Sequence, residues 1–182
     1  MNYERDWNNR CNAVGFAAAC ARLALPFYDG DQRSNLVAAI EIAECYANGE
    51  QIDDTDAHRV AGAAVSAAPA GPYPTPHSAW ATIAAAAVAS VAAYAAYGAA
   101  NVVNYDSDAA ADASADAADA ARGADDAGVD SSEIQIAFAR WVVRDLSCGR
   151  DLDEELRQAA GAAIVAGDED LARQLIEVVC TR

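Results

Sequence analysis

The chain has 182 residues, 28 acidic and 12 basic, for a formal net charge of −16; every basic residue is arginine, and 49 residues are alanine. The length suits one domain, and the composition excludes a sheet protein, a disulfide scaffold and a basic nucleic-acid-binding domain. Leu, Ile, Val and Phe together number only 33, which with this charge would read as disorder, were alanine not the strongest helix former and small enough to let helices approach closely.

A first helix is predicted over about Glu4 to Leu25: Trp7, Cys11, Val14, Ala18, Ala21 and Leu25 form one apolar stripe, and Pro26 ends it. A second starts near Asp31 or Ser34, turns Leu36, Val37, Ile40, Ala43 and Ala47 inward and stops at Asn48-Gly49. A third takes Asp54 or Thr55 as N-cap and buries Val60, Ala61, Ala64, Val65 and Ala68. Four of the five prolines fall between Pro69 and Pro76, an extended and stiff connection. Thr75 then caps, and Pro76 opens, a fourth helix running to about Asn101. Its stripe is Trp80, Ile83, Ala87, Val91, Tyr94 and Gly98, widened by Ala84, Val88 and Ala95, as expected of a central helix in a bundle.

A fifth helix, about Ser107 to Arg122, is almost only Ala and Asp. Asp108, Asp112, Asp116 and Asp119 share one face; Ala109, Ala110, Ala113, Ala117, Ala120 and Ala121 share the other, expected to pack on the fourth helix. Asp130-Ser131-Ser132-Glu133 is a capping box, and the sixth helix behind it carries Ile134, Ala137, Phe138, Trp141, Val142 and Leu146 inward. A second box, Asp151-Leu152-Asp153-Glu154, opens a seventh helix with Leu152, Leu156, Ala159, Ala160, Ala163 and Ile164 inward. Ala166-Gly167-Asp168 then turns into an eighth with Leu171, Ala172, Leu175, Val178 and Val179 inward, making an αα-hairpin. The expected fold is all-α: a compact bundle of about eight helices in a single domain over residues 1–182. The polar stretch 123–130 is where a five-helix core could part from a three-helix C-terminal part.

The start, Met1 to Asp6, lacks the basic and apolar segments of a signal peptide. The run Ile83 to Val88 is too weakly hydrophobic for a membrane span. Five cysteines, an odd number with no CxxC, point to a reducing cytosol. There is no Gly-rich phosphate loop, HExxH or GxSxG. His58 and His77, each near a helix start, read as surface residues rather than metal ligands. No carboxylate is singled out by an apolar neighbourhood that would shift its pKa. No enzymatic activity, cofactor or metal is expected.

Between Asp106 and Asp130 lie eight aspartates and one arginine, a net of −7 in 25 residues. This is either a solvated face or a docking surface for a basic partner, with Asp108, Asp112, Asp116, Asp119, Asp125 and Asp126 as its residues. Aspartates four apart rise about 6 Å along a helix, of the order of the ~3.4 Å of rise per charge on one DNA strand, so a DNA mimic is physically allowed. Tyr94, Tyr97 and Tyr105 read as core residues with wet hydroxyls. A weaker ligand-binding set is Tyr94, Trp80, Trp141 and Arg144, lining a cavity between the fourth and sixth helices. Arg140 and Arg144, one turn apart beside Trp141, have the spacing to clamp an anion, although pairing with nearby aspartates is the expectation.

The stretch Cys20-Ala21-Arg22-Leu23-Ala24-Leu25-Pro26-Phe27-Tyr28, followed by Gly30-Asp31-Gln32-Arg33, Ala38-Ala39-Ile40-Glu41 and Tyr46-Ala47-Asn48-Gly49-Glu50, resembles an Ala-rich all-helical immunity protein family of actinobacteria and tailed phages. The Ala/Tyr/Asp tract Val91 to Ala121 and the segment Ala139-Arg140-Trp141-Val142-Val143-Arg144 extend the likeness over about residues 11 to 146. Ser34 stands where the family has proline, the loop before it is shorter, and the Pro-rich segment and last hairpin fall outside the pattern. The resemblance implies no catalytic residues; Asp31 is expected to cap a helix and Arg33 to pair locally.

The expected function is a non-enzymatic acidic helical protein of immunity or phage–host conflict type that binds and neutralises a protein partner, itself basic. Direct nucleic-acid or membrane binding is not expected, and location in the bacterial or infected-host cytosol is. The alternatives are a structural or self-associating protein (a virion component or homo-oligomer), an acidic DNA-mimic inhibitor, and an enzyme or small-ligand binder.

Overall fold

The computed structural model describes residues 3–67, 92–94, 96–97, 106–148 and 150–180, with positions 54, 106–112 and 178–180 described by backbone alone. Among these residues there is no strand. The helices are α1 (Arg10–Ala24), a 3₁₀ turn (Leu25–Phe27), α2 (Arg33–Ala47), α3 (Asp54–Ser66), α4 (Asp106–Ala127), α5 (Ser131–Leu146), α6 (Glu154–Val165) and α7 (Glu169–Cys180). Residues 92–94 and 96–97 are also helical. The protein is an all-α bundle. No helix of the described residues is long and apolar enough to cross a membrane.

The helix enclosed on most sides is α1. It packs against α2, α4 and α5, and its buried residues run almost without a break from Asn12 to Ala24. Alanine makes this possible. Ala13, Ala17, Ala21 and Ala24 of α1 and Ala113, Ala117, Ala120, Ala121 and Ala124 of α4 are all buried, and side chains of one carbon let two helices approach closely. The alanine face of α4 therefore packs on α1. The predicted neighbour over 76–101 lies largely outside the described residues, though Ala92, Ala93 and Ala96 are buried.

The larger apolar side chains concentrate in an aromatic cluster. Tyr3, Trp7, Phe16 and Phe138 stack with ring centroids 5.2–6.0 Å apart, three of the contacts edge-on, a geometry aromatic quadrupoles favour. Cys20 is buried beside this core, and burial pushes its thiol far above the usual range, so it acts as a small apolar filler. Cys11, Cys20, Cys45 and Cys148 form no disulfide.

Several helix ends follow the sequence closely. Asp130 caps α5 by accepting from Ser132 N–H at 2.7 Å. Gly49, at φ 82°, lets Glu50 N–H reach back to Cys45 O and Gly49 N–H to Tyr46 O; Gly128, at φ 99°, closes α4 in the same way. Ala166-Gly167-Asp168 joins α6 to α7, which pack together.

Other ends differ. Residues 3–9 are not helical: the main-chain N–H groups of Asn8 and Asn9 are held by the Asp145 side chain, and Asn9 caps α1 from its own side chain. Trp7 thus enters the core from an extended strap. The N-caps of α3 and α6 are Asp53 and Asp153. Among the described residues Asp31 caps no helix: Gln32 holds the N-cap position of α2 without a side-chain bond, and Arg33 donates to the carbonyls of Leu25 and Tyr28 with no carboxylate there within ion-pair distance. Val65, Leu171 and Ala159 are exposed, because α3 and α6–α7 are each covered along a narrower stripe than their apolar residues span. Among the described side chains of α7 the buried ones are Ala172 and Ile176; those of Val178 and Val179 lie outside the described ones.

Candidate functional site

The outward face of α4 is acidic. Asp119, Asp125 and Asp126 are exposed, Asp116 is half-exposed, and Asp130, Ser131 and Glu133 continue the surface onto the start of α5. Arg122 is the one cation on this stretch; it pairs with Asp119 and lies 4.0 Å from Glu4. Asp125 accepts from Ser131 Oγ. Asp108 and Asp112 lie on α4 by backbone, and their side chains fall outside the described ones. At helical spacing Asp108, Asp112, Asp116, Asp119 and Asp126 share one face, and Asp125 sits a third of a turn away. The carboxyl of Asp130 is held below its ordinary value by the hydroxyl and main-chain N–H of Ser132.

Trp141 organises a second region. Its indole edge rests on α1 at Gly15, where any Cβ would collide with Cζ2, Cζ3 and Cη2 of the ring. The Arg144 guanidinium lies 4.8 Å from the ring centre and donates to Ala47 O at 3.2 Å. Two concavities flank the indole. One, of about 620 Å³, lies between α1, α2 and α5, with Leu23, Ala137 and the exposed Ile136 in its wall and the two-pronged Arg22–Glu44 pair at its rim. The other, of about 610 Å³, lies between α5 and the start of α6 and gathers Arg140, Arg144, Arg150 and Arg157.

The structure divides the ligand set Tyr94, Trp80, Trp141 and Arg144. Trp141 and Arg144 are in contact. Tyr94, 37% exposed, has its ring against His58 of α3, as does Tyr97. Trp80, His77 and Tyr105 lie outside the described residues. Arg140 and Arg144 do not pair with aspartates: among the described residues neither has a carboxylate within ion-pair distance. No three His, Cys, Asp or Glu of the described residues are grouped to hold a metal ion.

Asp145 escaped the sequence reading. Its carboxylate is 1% exposed and accepts five hydrogen bonds: from Arg5 Nη2, Asn8 N, Asn8 Nδ2, Asn9 N and Asn12 Nδ2, at 2.9–3.1 Å. Arg5 also reaches Glu169 of α7 and lies over Trp7. A carboxylate in the last turn of α5 opposes that helix's own dipole. Placed at the first turn of α1, the same charge meets free N–H groups and a favourable dipole. The signal was an aspartate at the core-facing register of Ile134, Phe138 and Val142.

No family model, curated protein or solved structure matches the chain.

Proposed function

We propose that this protein is a non-enzymatic, acidic helical binding protein of the immunity or phage–host conflict type, which docks onto and neutralises a basic protein partner. The observation that carries the reading is the outward face of α4: exposed carboxylates, continued by Asp130 and Glu133, on a helix backed by an all-alanine face against α1. Asp126 has no hydrogen-bond or ion-pair partner among the described residues. Such a surface steers a basic partner into encounter and selects against acidic ones. The resemblance to the Ala-rich immunity family supports the same reading.

The test is retention of host-lysate proteins on the immobilised protein at low salt. A single basic protein should elute late, and the Asp119→Arg/Asp126→Arg variant should not retain it. With the purified partner, the association rate should fall about tenfold or more between 50 and 500 mM salt. Retention that survives the charge reversal, or a rate indifferent to salt, would overturn the proposal. A second reading, self-association, draws on Ile136, a large apolar residue 57% exposed beside the concavity at Trp141. Sedimentation at two concentrations separates it from the first.

A further inference from the structure

We infer that the arginine-lined groove between α5 and α6 binds a small phosphate-bearing anion. Four arginines, Arg140, Arg144, Arg150 and Arg157, line one concavity of about 610 Å³. Its carboxylates, Asp151 and Glu154, are both taken by Arg157. Arg140, Arg144 and Arg150 have no carboxylate partner among the described residues. Arg144 is fixed by the Trp141 ring and Ala47 O, and Arg150 by a bond from Nε to Ser147 O at 2.8 Å.

This arrangement is unexpected in a chain with 28 acidic and 12 basic residues. Elsewhere Arg5, Arg22, Arg59, Arg122 and Arg173 each rest on a carboxylate, while Arg33 is satisfied by the carbonyls of Leu25 and Tyr28. Three guanidiniums on one concavity, with no carboxylate partner among the described residues, leave a local positive charge that a bound anion would neutralise. Part of the cluster has a structural use, because a cation at the end of α5 complements the helix dipole. One arginine suffices for that, and Arg144 in the last turn supplies it.

The size and charge of the molecule select the ligand. A concavity of this volume suits a small molecule, and the planar fork of arginine matches phosphate oxygens two at a time. A large polyanion, nucleic acid or acidic protein, would extend more than the Debye length of about 8–10 Å from the groove and meet the surrounding negative charge. A compact anion stays within the local positive field. Free polyphosphate and the phosphates of a nucleotide share this chemistry.

Calorimetric titration at low salt with tripolyphosphate, ATP and citrate tests the inference. Tripolyphosphate should bind, with Arg140→Gln and Arg150→Gln each weakening it about tenfold while both variants keep the parent's helical circular dichroism. Arg59→Gln, an exposed arginine on α3, should bind as the parent does. ATP binding tighter than tripolyphosphate would assign the site to a nucleotide; equal binding would assign it to phosphate alone. No heat at millimolar tripolyphosphate and ATP, citrate binding as tightly, or affinity unmoved by both groove variants would overturn it.

Discussion

Asp145 is the buried carboxylate that holds Arg5, Asn8, Asn9 and Asn12 in place. Removing one member of a buried, hydrogen-bonded charge set leaves the others desolvated and unpaired. Asp145→Ala should therefore lower the unfolding free energy by about 3–5 kcal/mol, read by urea denaturation; a loss below about 1 kcal/mol would show that water replaces the carboxylate. Asp130 gives a contrasting case at the surface. Its folded-state carboxyl lies below the ordinary 3.8, so its capping contribution is fully present above pH 3.8 and is lost as pH falls through the lower folded value. In Ser132→Ala the hydroxyl bond is gone and that loss should move up toward pH 3.8, measured by carboxyl titration of Asp130. An unmoved titration would assign the shift to the main-chain N–H alone. The cap at Asp130 was legible because both partners lie within two residues. Asp145 was not, because its donors lie 133 to 140 residues away.

Helices were legible where apolar period and cap chemistry agreed, as in α5 and at the Asn48-Gly49 end of α2. They were misjudged where a distant group intervened. The Trp7 stripe has helical spacing, yet the N–H groups that would continue α1 toward Glu4 are bound by Asp145. The acidic helix was read in the right register; among the described residues its alanine face lies on α1, which the sequence did not show, since alanine periodicity marks a face without saying what covers it, and the expected neighbour over 76–101 lies largely outside them. Close approach of α4 to α1 sets a further expectation. Ala117 is fully buried and Ala115 exposed on the same helix. Ala117→Leu should cost about 1–3 kcal/mol by overpacking, whereas Ala115→Leu should stay within about 0.5 kcal/mol of the parent, both measured by thermal or urea unfolding. Equal effects would mean that α4 and α1 are not in intimate contact.

The charge of −16 acts on the entire fold. Like charges at this density repel in the compact state and separate on unfolding, and salt screens the repulsion over a length that shrinks from about 10 Å at 0.1 M to about 3 Å at 1 M. Sodium chloride should raise the thermal midpoint, by about 2–4 °C for each kcal/mol of repulsion relieved. A midpoint that falls with salt would show that ion pairs such as Arg5–Asp145 and Arg22–Glu44 outweigh the net charge. Fold class and surface sign could be read from composition because both are sums over many residues. The arginine groove could not, because it depends on which few residues meet at the junction of α5 and α6.

The link from Arg5 to Glu169 spans 164 positions. At ribosomal rates of about 5–20 residues per second, on the order of ten seconds or more separate the synthesis of the two residues. Until Asp145 emerges, Arg5 and the open first turn of α1 lack the carboxylate that holds them. The strap therefore closes only after α5 has emerged, with its tie to α7 added later still, and until then nascent chains carry an aromatic, unsatisfied segment of the kind that chaperones engage.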